Sequence, residues 1–322
     1  MRRTAVLAAM ALLMQPPHPA FGADYPSKIV RIVVPTSPGG ITDLLGRMVA
    51  NQLATTAGGQ AIVDNKSGAG GNLGMEAVAR ATPDGYTLLF ANSSYIVMSP
   101  FIYKSMTVHP LTELVPVAPV GHAPQLLVVN AKVPAANLRE FIAYAKARPG
   151  QLNYASAGVG STVHLAGDQF VRLAGLDLVH VPYRGSTAAV RDLAAGNVQM
   201  MSISLGPVEP FVQGGSLRIL ATAWPHRLSA LPDVPTAAEA GVPGYEMTTW
   251  FGLFAPAGTP KEIVEQLADI VGAMLADPAS LKRLADDSVE VMAMRPPAFQ
   301  DFVAADAVKW ERAIRASHIE LQ

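Results

Sequence analysis

The 322-residue chain contains no cysteine. That excludes disulfides, Cys-ligated zinc, iron–sulfur clusters and a thiol nucleophile together. Charge is scarce as well: Asp, Glu, Lys and Arg make up 15% of the residues, against about 25% in ordinary soluble chains. The 24 basic and 25 acidic residues nearly cancel, to a net −1. Nucleic acid is therefore not an expected partner, because gripping a phosphate backbone needs a basic surplus. A Gly-x-Ser-x-Gly nucleophile elbow and a His-Glu-x-x-His pair are both missing. What the chain has in quantity is apolar surface to bury. Half its residues are hydrophobic and the mean hydropathy is +0.26, enough at this length for two domains with sizeable cores.

The N-terminus reads as an export segment over residues 1–22. Arg2 and Arg3 precede an uncharged, mostly apolar run from Thr4 to Met14, too short for the roughly 20 residues of a membrane span. Pro16, Pro17 and Pro19 break the run, and Ala20-Phe21-Gly22 places small residues where a signal peptidase cuts. With no cysteine at that point, a lipid anchor on the new N-terminus is excluded. Later in the chain no continuous apolar run is long enough to span a membrane. The expectation is a periplasmic protein free of the membrane.

Strand and helix patterns then alternate. Ile29-Val30-Arg31-Ile32-Val33-Val34 is β-branched and nearly continuous, as a buried parallel strand should be. Leu44, Leu45, Met48, Val49 and Leu53 follow on one helical stripe. Further strands are expected at 61–63, 86–91, 125–130, 152–156, 178–181, 198–204 and 217–223. Asn72 is placed to cap one helix and Ser161 another. The C-terminal part carries two helical stripes, Ile263, Leu267, Ile270, Met274 and Phe299, Val303, Trp310, Ile314. This predicts an α/β fold with mainly parallel sheets flanked by helices. Two proline-spaced passages, Pro116 to Pro124 and Pro232 to Pro243, read as paired crossovers between two lobes.

Three glycine-rich loops stand at strand-to-helix junctions. Pro35-Thr36-Ser37-Pro38-Gly39-Gly40, with Asp43 after it, is either an anion site built from helix-start N–H groups or only a tight turn. Ser156 to Thr162, with His164 one turn on, has the same form, and His164 is either structural or a hydrogen-bond donor to a ligand. Gly68-Ala69-Gly70-Gly71-Asn72-Leu73-Gly74 has Leu73 where a dinucleotide fingerprint needs glycine, and no Lys-Ser or Lys-Thr follows it. Close packing or lining of a cleft is its expected role, and no cofactor is expected. His164 and Asp168 share a helix face, but two ligands do not make a metal site. Tyr183-Arg184-Gly185 offers a cation that is either solvated or available to an anion.

These loops belong to a longer run of motifs. Tyr25-Pro26-Ser27-Lys28, Val33-Val34-Pro35, Pro38-Gly39-Gly40-Ile41-Thr42-Asp43 and Pro83-Asp84-Gly85-Tyr86-Thr87-Leu88-Leu89 are followed by Leu152-Asn153-Tyr154-Ala155-Ser156-Ala157-Gly158. His180-Val181-Pro182-Tyr183-Arg184-Gly185, Leu231-Pro232-Asp233-Val234-Pro235-Thr236, Glu239-Ala240-Gly241 and Trp250-Phe251-Gly252-Leu253 complete the order. In this the chain resembles the Bug-family extracytoplasmic solute receptors of tripartite tricarboxylate transporters. The resemblance implies a two-lobed, type II periplasmic binding protein fold with the ligand in the cleft between lobes. Lobe 1 would be residues 23–123 and 248–322, and lobe 2 residues 124–247. It also implies a monomer that takes a small carboxylate and meets integral membrane transporter subunits transiently.

In that family, a loop of each lobe grips a ligand carboxylate through main-chain N–H groups, hydroxyls and ordered water. The matching positions are Ser37, Gly39, Gly40 and Asp43 in one lobe and Ala157, Gly158, Gly160, Ser161, Thr162 and His164 in the other. Asn92, Ser93 and Ser94 match a third lining loop. Where the family often has Phe-Asp-Asn, this chain has Ser202-Ile203-Ser204, which sets Ser202 and Ser204 in the expected cleft and removes a carboxylate from it. The expected ligand is therefore a mono- or dicarboxylate without a free ammonium, unless Asp43 serves as the ammonium's partner. The alternative reading is a secreted hydrolase or isomerase acting on a small carboxylate through Ser161, His164 and Asp168. Their spacing opposes it, because three residues within two turns of one helix cannot surround a substrate.

Overall fold

The computed structural model describes residues 25–56 and 60–316; the expected export segment over 1–22 lies outside them. Two sheets form the frame. The first holds β1 (Val30–Val34), β2 (Ala61–Asn65), β3 (Thr87–Asn92), β4 (Leu114–Pro124), β10 (Thr248–Pro256) and β11 (Glu290–Val291), in the order β11-β4-β10-β3-β1-β2. The second holds β5 (Leu126–Asn130), β6 (Asn153–Ser156), β7 (Val179–Pro182), β8 (Met200–Ile203) and β9 (Leu217–Thr222), in the order β7-β6-β8-β5-β9.

The sheets are mixed, which corrects the expectation of mainly parallel ones. β1 is parallel to β2 and β3, and β6 to β7 and β8. β10 is antiparallel to both β3 and β4, and β5 to both β8 and β9. The cause is the double crossing. β4 leaves the first lobe and β10 re-enters it, so the two must run in opposite directions side by side.

The crossings differ in kind from the proline passages. Pro116 to Pro124 is not a linker but part of the 11-residue strand β4. Its outer neighbour β11 covers only Gly121 and His122, so most of that edge has no ladder for a proline to interrupt. Pro232 to Pro243 stays on the second lobe, where Thr236 bridges Thr222 and caps Glu239. The chain returns later, at Met247–Thr248. There the Gln125 N–H donates to Met247 O (2.9 Å) and the Gln125 side chain donates to Thr249 Oγ1 (3.0 Å), tying one crossing to the other.

Around the first sheet lie α1 (Ile41–Thr56), α2 (Asn72–Ala79), the single turns α3 (Ser99–Ile102) and α4 (Pro110–Glu113), α9 (Lys261–Ala276), α10 (Pro278–Asp286) and α11 (Pro296–Ala316). Around the second lie α5 (Leu138–Lys146), α6 (Thr162–Leu173), α7 (Ser186–Ala195) and the short α8 (Glu209–Gln213). The apolar stripes read from the sequence are the buried faces: Leu45, Val49 and Leu53 on α1, Ile263, Leu267, Ile270 and Met274 on α9. Ser161 caps α6 as expected. Asn72 does not cap α2: Gly71 precedes the helix in a left-handed conformation, and the Asn72 side chain donates to Thr107 Oγ1 instead.

Helix α11 is held to the first sheet by aromatic contacts. Phe299 is fully buried and meets Trp250 edge-on (5.8 Å between ring centres) and Phe254 at a tilt (5.5 Å). Phe299→Ala is expected to lower the unfolding free energy by about 3–5 kcal/mol, the cost of such a cavity. Denaturant titration checks this as a lower midpoint at unchanged slope.

Candidate functional site

The lobes enclose a cleft of about 770 Å³. Its walls are the loops that follow the carboxyl ends of β1, β2, β3, β6, β7 and β8, where open α/β sheets take ligands. Helices α1, α6 and α7 each start at this cleft, so their unpaired first-turn N–H groups and positive dipole ends converge on it. Arg184 is the one charged side chain among the lining residues described, and no carboxylate lines it.

In the first lobe Ser37 and Gly40 line the cleft, whereas Gly39 and Asp43 do not. Asp43 is 2% exposed and sits behind the loop. Its carboxylate accepts the Gly39 N–H (2.9 Å), Asn65 Nδ2 (3.0 Å) and Arg47 Nε (3.1 Å). Burial alone would raise its pKa, but the Arg47 bond, the Gly39 N–H and Asn65 together hold it below the ordinary carboxylate value. An Asp charge already paired with Arg47 is not a partner for a ligand ammonium. It fixes the shape of the Pro35–Gly40 loop.

Asn92 and Ser94 also line the cleft. Asn92 Oδ1 accepts from Ser94 Oγ (2.6 Å) and its Nδ2 donates to Thr42 Oγ1 (3.1 Å), which locks the third loop to the start of α1. Ser93 is turned behind this wall and 1% exposed.

In the second lobe Ala157, Gly158, Gly160, Ser161 and Thr162 line the cleft. Ser161 Oγ accepts the His164 N–H (3.2 Å) and donates to Gly158 O (2.7 Å). The Gly160 N–H points inward, to His164 Nδ1 (3.1 Å). At the start of α6 the N–H groups of Thr162 and Val163 are left for a ligand. Beside them is Thr162 Oγ1, a buried hydroxyl with no hydrogen-bond partner among the described residues. His164 lies behind the loop and not in the cleft. Burial pushes its pKa down to about 4, so the ring is neutral near pH 7 and its Nδ1 is free to accept.

Ser202 is also displaced from its expected place. Strand β8 points it into the second lobe, where its hydroxyl meets Tyr245 OH at 2.6 Å. Ile203 and Ser204 face the cleft instead. No hydrogen bond joins the Ser161, His164 and Asp168 side chains to one another, because the serine is spent on the α6 cap and the histidine on Gly160. Among the described residues no group of three or more His, Cys, Asp or Glu could hold a metal ion.

Several lining residues were outside the expected set. Tyr95 and Tyr103 pack on the Gly68–Gly71 loop. A Cβ on Gly71 would stand 2.1 Å from the Tyr95 ring, so only glycine fits. Gln125 and Thr249 form the floor, one from each crossing. Their meeting joins positions 124 residues apart, which no local motif signals. Arg184 was marked by its motif but not by its position. The lobes touch at the rim: Tyr103 OH donates to Val159 O (2.7 Å) across the cleft. Gly160, at φ +75°, leaves only 2.8 Å between the place of a Cβ and Ile102 Cδ1.

Known proteins share this arrangement. The model of the tripartite tricarboxylate transporter family receptors matches residues 45–319. BugT of Bordetella pertussis is 33% identical over 305 residues, covering 94% of each chain. An R. palustris protein solved with adipate is 36% identical with a TM-score of 0.88, over 91% of this chain and 98% of that one. MatC from Rhodopseudomonas palustris, solved with bound malate, is 32% identical with a TM-score of 0.83, over 90% and 100%. No helix among the described residues is long and apolar enough to cross a membrane. The chain belongs to the tripartite tricarboxylate transporter receptor family.

Proposed function

We propose that this chain is a periplasmic receptor that captures a small carboxylate in the interlobe cleft and delivers it to the membrane subunits of a tripartite tricarboxylate-type transporter. The observation that carries this is the charge pattern of the cleft. Three helix N-termini and Arg184 line it, and among the described residues no acid does. Such a site favours an anion. An ammonium buried there would have no carboxylate partner, and an unpaired buried charge is costly. Structural relatives solved with adipate and malate support the same ligand class.

The ligand-binding set we assign is Ser37, Gly40, Asn92, Ser94, Thr162, Arg184 and Ser204, with the backbone of 157–163. Arg184 has no ion-pair or hydrogen-bond partner among the described residues. That leaves it free for a second carboxylate, with the first at the start of α6. The protein binds without turning its ligand over, as the commitment of Ser161 and His164 to the loop supports. It acts as a monomer, meets the transporter transiently, and is exported by cleavage after Gly22. Osmotic shock is expected to release a chain beginning near Ala23 without detergent; recovery with the membrane fraction contradicts the export reading.

Binding to the native state alone raises stability by about 2.7 kcal/mol at a hundredfold excess over Kd. In a thermal-shift panel of mono-, di- and amino-carboxylates, after removal of carried-over ligand, unaminated dicarboxylates are expected to raise Tm most. Arg184→Gln is expected to weaken the best dicarboxylate about tenfold, about 1.4 kcal/mol, and its monocarboxylate analogue much less. An amino acid as the tightest ligand contradicts this reading of the cleft.

A further inference from the structure

His164 and His180 lie under the ligand-facing loop as a stacked pair, 3.9 Å between ring centres and 16° between planes. Tyr154 stacks against His180 at 4.9 Å. Each histidine sends one nitrogen up to the loop. His164 Nδ1 accepts the Gly160 N–H (3.1 Å). His180 Nε2 lies 2.7 Å from Ser156 Oγ, which itself accepts the Gly158 N–H (3.1 Å). The peptide between Val159 and Gly160 is thereby held at both ends. Its N–H goes to His164 in its own lobe, and its C=O accepts from Tyr103 OH of the other lobe (2.7 Å).

We propose that His164 and His180, neither of which lines the cleft, are positioning residues that hold the Ala157–Ser161 loop in its gripping shape, and that protonating His164 loosens the loop and weakens binding. The proposal rests on the carboxylate-receptor reading for its consequence but not for its geometry.

The chemistry has one direction. A neutral His164 with its proton on Nε2 can accept at Nδ1. A protonated His164 carries a proton on both nitrogens and cannot. The Gly160 N–H would then face another N–H, and the peptide would have to turn, drawing Val159 O away from Tyr103. Two charged rings at 3.9 Å also repel. The other titratable groups around the pair are Asp168, one turn along α6, and Tyr154 on β6. Burial pulls both histidines down to about 4, His164 adds to the effect at His180, and Asp168 partly opposes it there. The opened loop would titrate nearer the ordinary 6.5. The gripping shape therefore keeps its full stability above about pH 6.5 and loses it as pH falls toward 4.

The test uses the ligand-free, ¹⁵N-labelled protein and two variants. Asn at 164 offers a non-titrating acceptor near the place of Nδ1; Leu offers none. At pH 7 the wild type is expected to show a scalar coupling across the Gly160 N–H···Nδ1 bond. Its Gly160 exchange-protection factor should be retained in His164→Asn and fall at least tenfold in His164→Leu. Between pH 6.5 and 4 the protection factor should fall in the wild type and hold in His164→Asn. The Kd for adipate or malate should follow the same pattern: within about threefold for His164→Asn, and at least tenfold weaker for His164→Leu. Gly160 protection that is indifferent to His164→Leu overturns the proposal. So does the same pH response in wild type and His164→Asn, a comparison that decides even if His164→Leu fails to fold. If neither carboxylate binds, the Gly160 measurements still judge the proposal, and the failure belongs to the ligand reading.

Discussion

A carboxylate can be held with one cation nearby only if backbone N–H groups are fixed in place before it arrives. That constraint organises both lobes. Behind each cleft loop stands a buried polar group that spends itself on the loop and not on the ligand. In the first lobe it is Asp43, taking the Gly39 N–H and paired with Arg47. In the second it is His164, taking the Gly160 N–H, with His180 stacked against it. Most of the residues that line the cleft are accordingly glycines, serines and threonines. Asp43 and His164, from the same motifs, lie one layer deeper.

This layering explains which parts of the site could be read from the sequence. Motifs located the loops, and the chain order of strand, glycine and helix placed them at one end of each sheet. Within a motif, however, a residue that faces the ligand and one that supports its neighbour follow each other at short spacing. Asp43 and His164 belong to the same motifs as Gly40 and Thr162, yet point the other way. Ser202 was placed in the cleft by comparison with a family pattern, but β8 turns it toward Tyr245. The floor pair Gln125 and Thr249 had no signal, because it exists only where two distant crossings meet.

The fold shows the same division. Strands with continuous β-branched runs, and helices with clean stripes, were legible within a residue or two. β4 was masked by its prolines, which are tolerated because its partner β11 is only two residues long. β10 was masked by burial on both faces: Thr249 to Pro256 is buried without a break, so it has none of the alternation that marks a strand. Missing those two strands hid the antiparallel pairings of β10 with β3 and β4, while those of β5 with β8 and β9 join strands that were expected but whose directions no local pattern marks.

Closure of the two loops on a carboxylate, by rotation of the lobes about the Gln125 and Met247 crossings, is the expected response to ligand. Because the chain has no cysteine, spin labels can be placed at will. Asn51→Cys on α1 and Arg172→Cys on α6 are exposed positions, one on each lobe. Pulsed dipolar measurement of the distance between them, with and without saturating dicarboxylate, tests closure directly. Ligand is expected to collapse a broad distribution to a single shorter distance, which Gly160→Ala, by setting a Cβ against Ile102, cannot reach. One distance distribution, unchanged by any carboxylate that raises Tm, would contradict it.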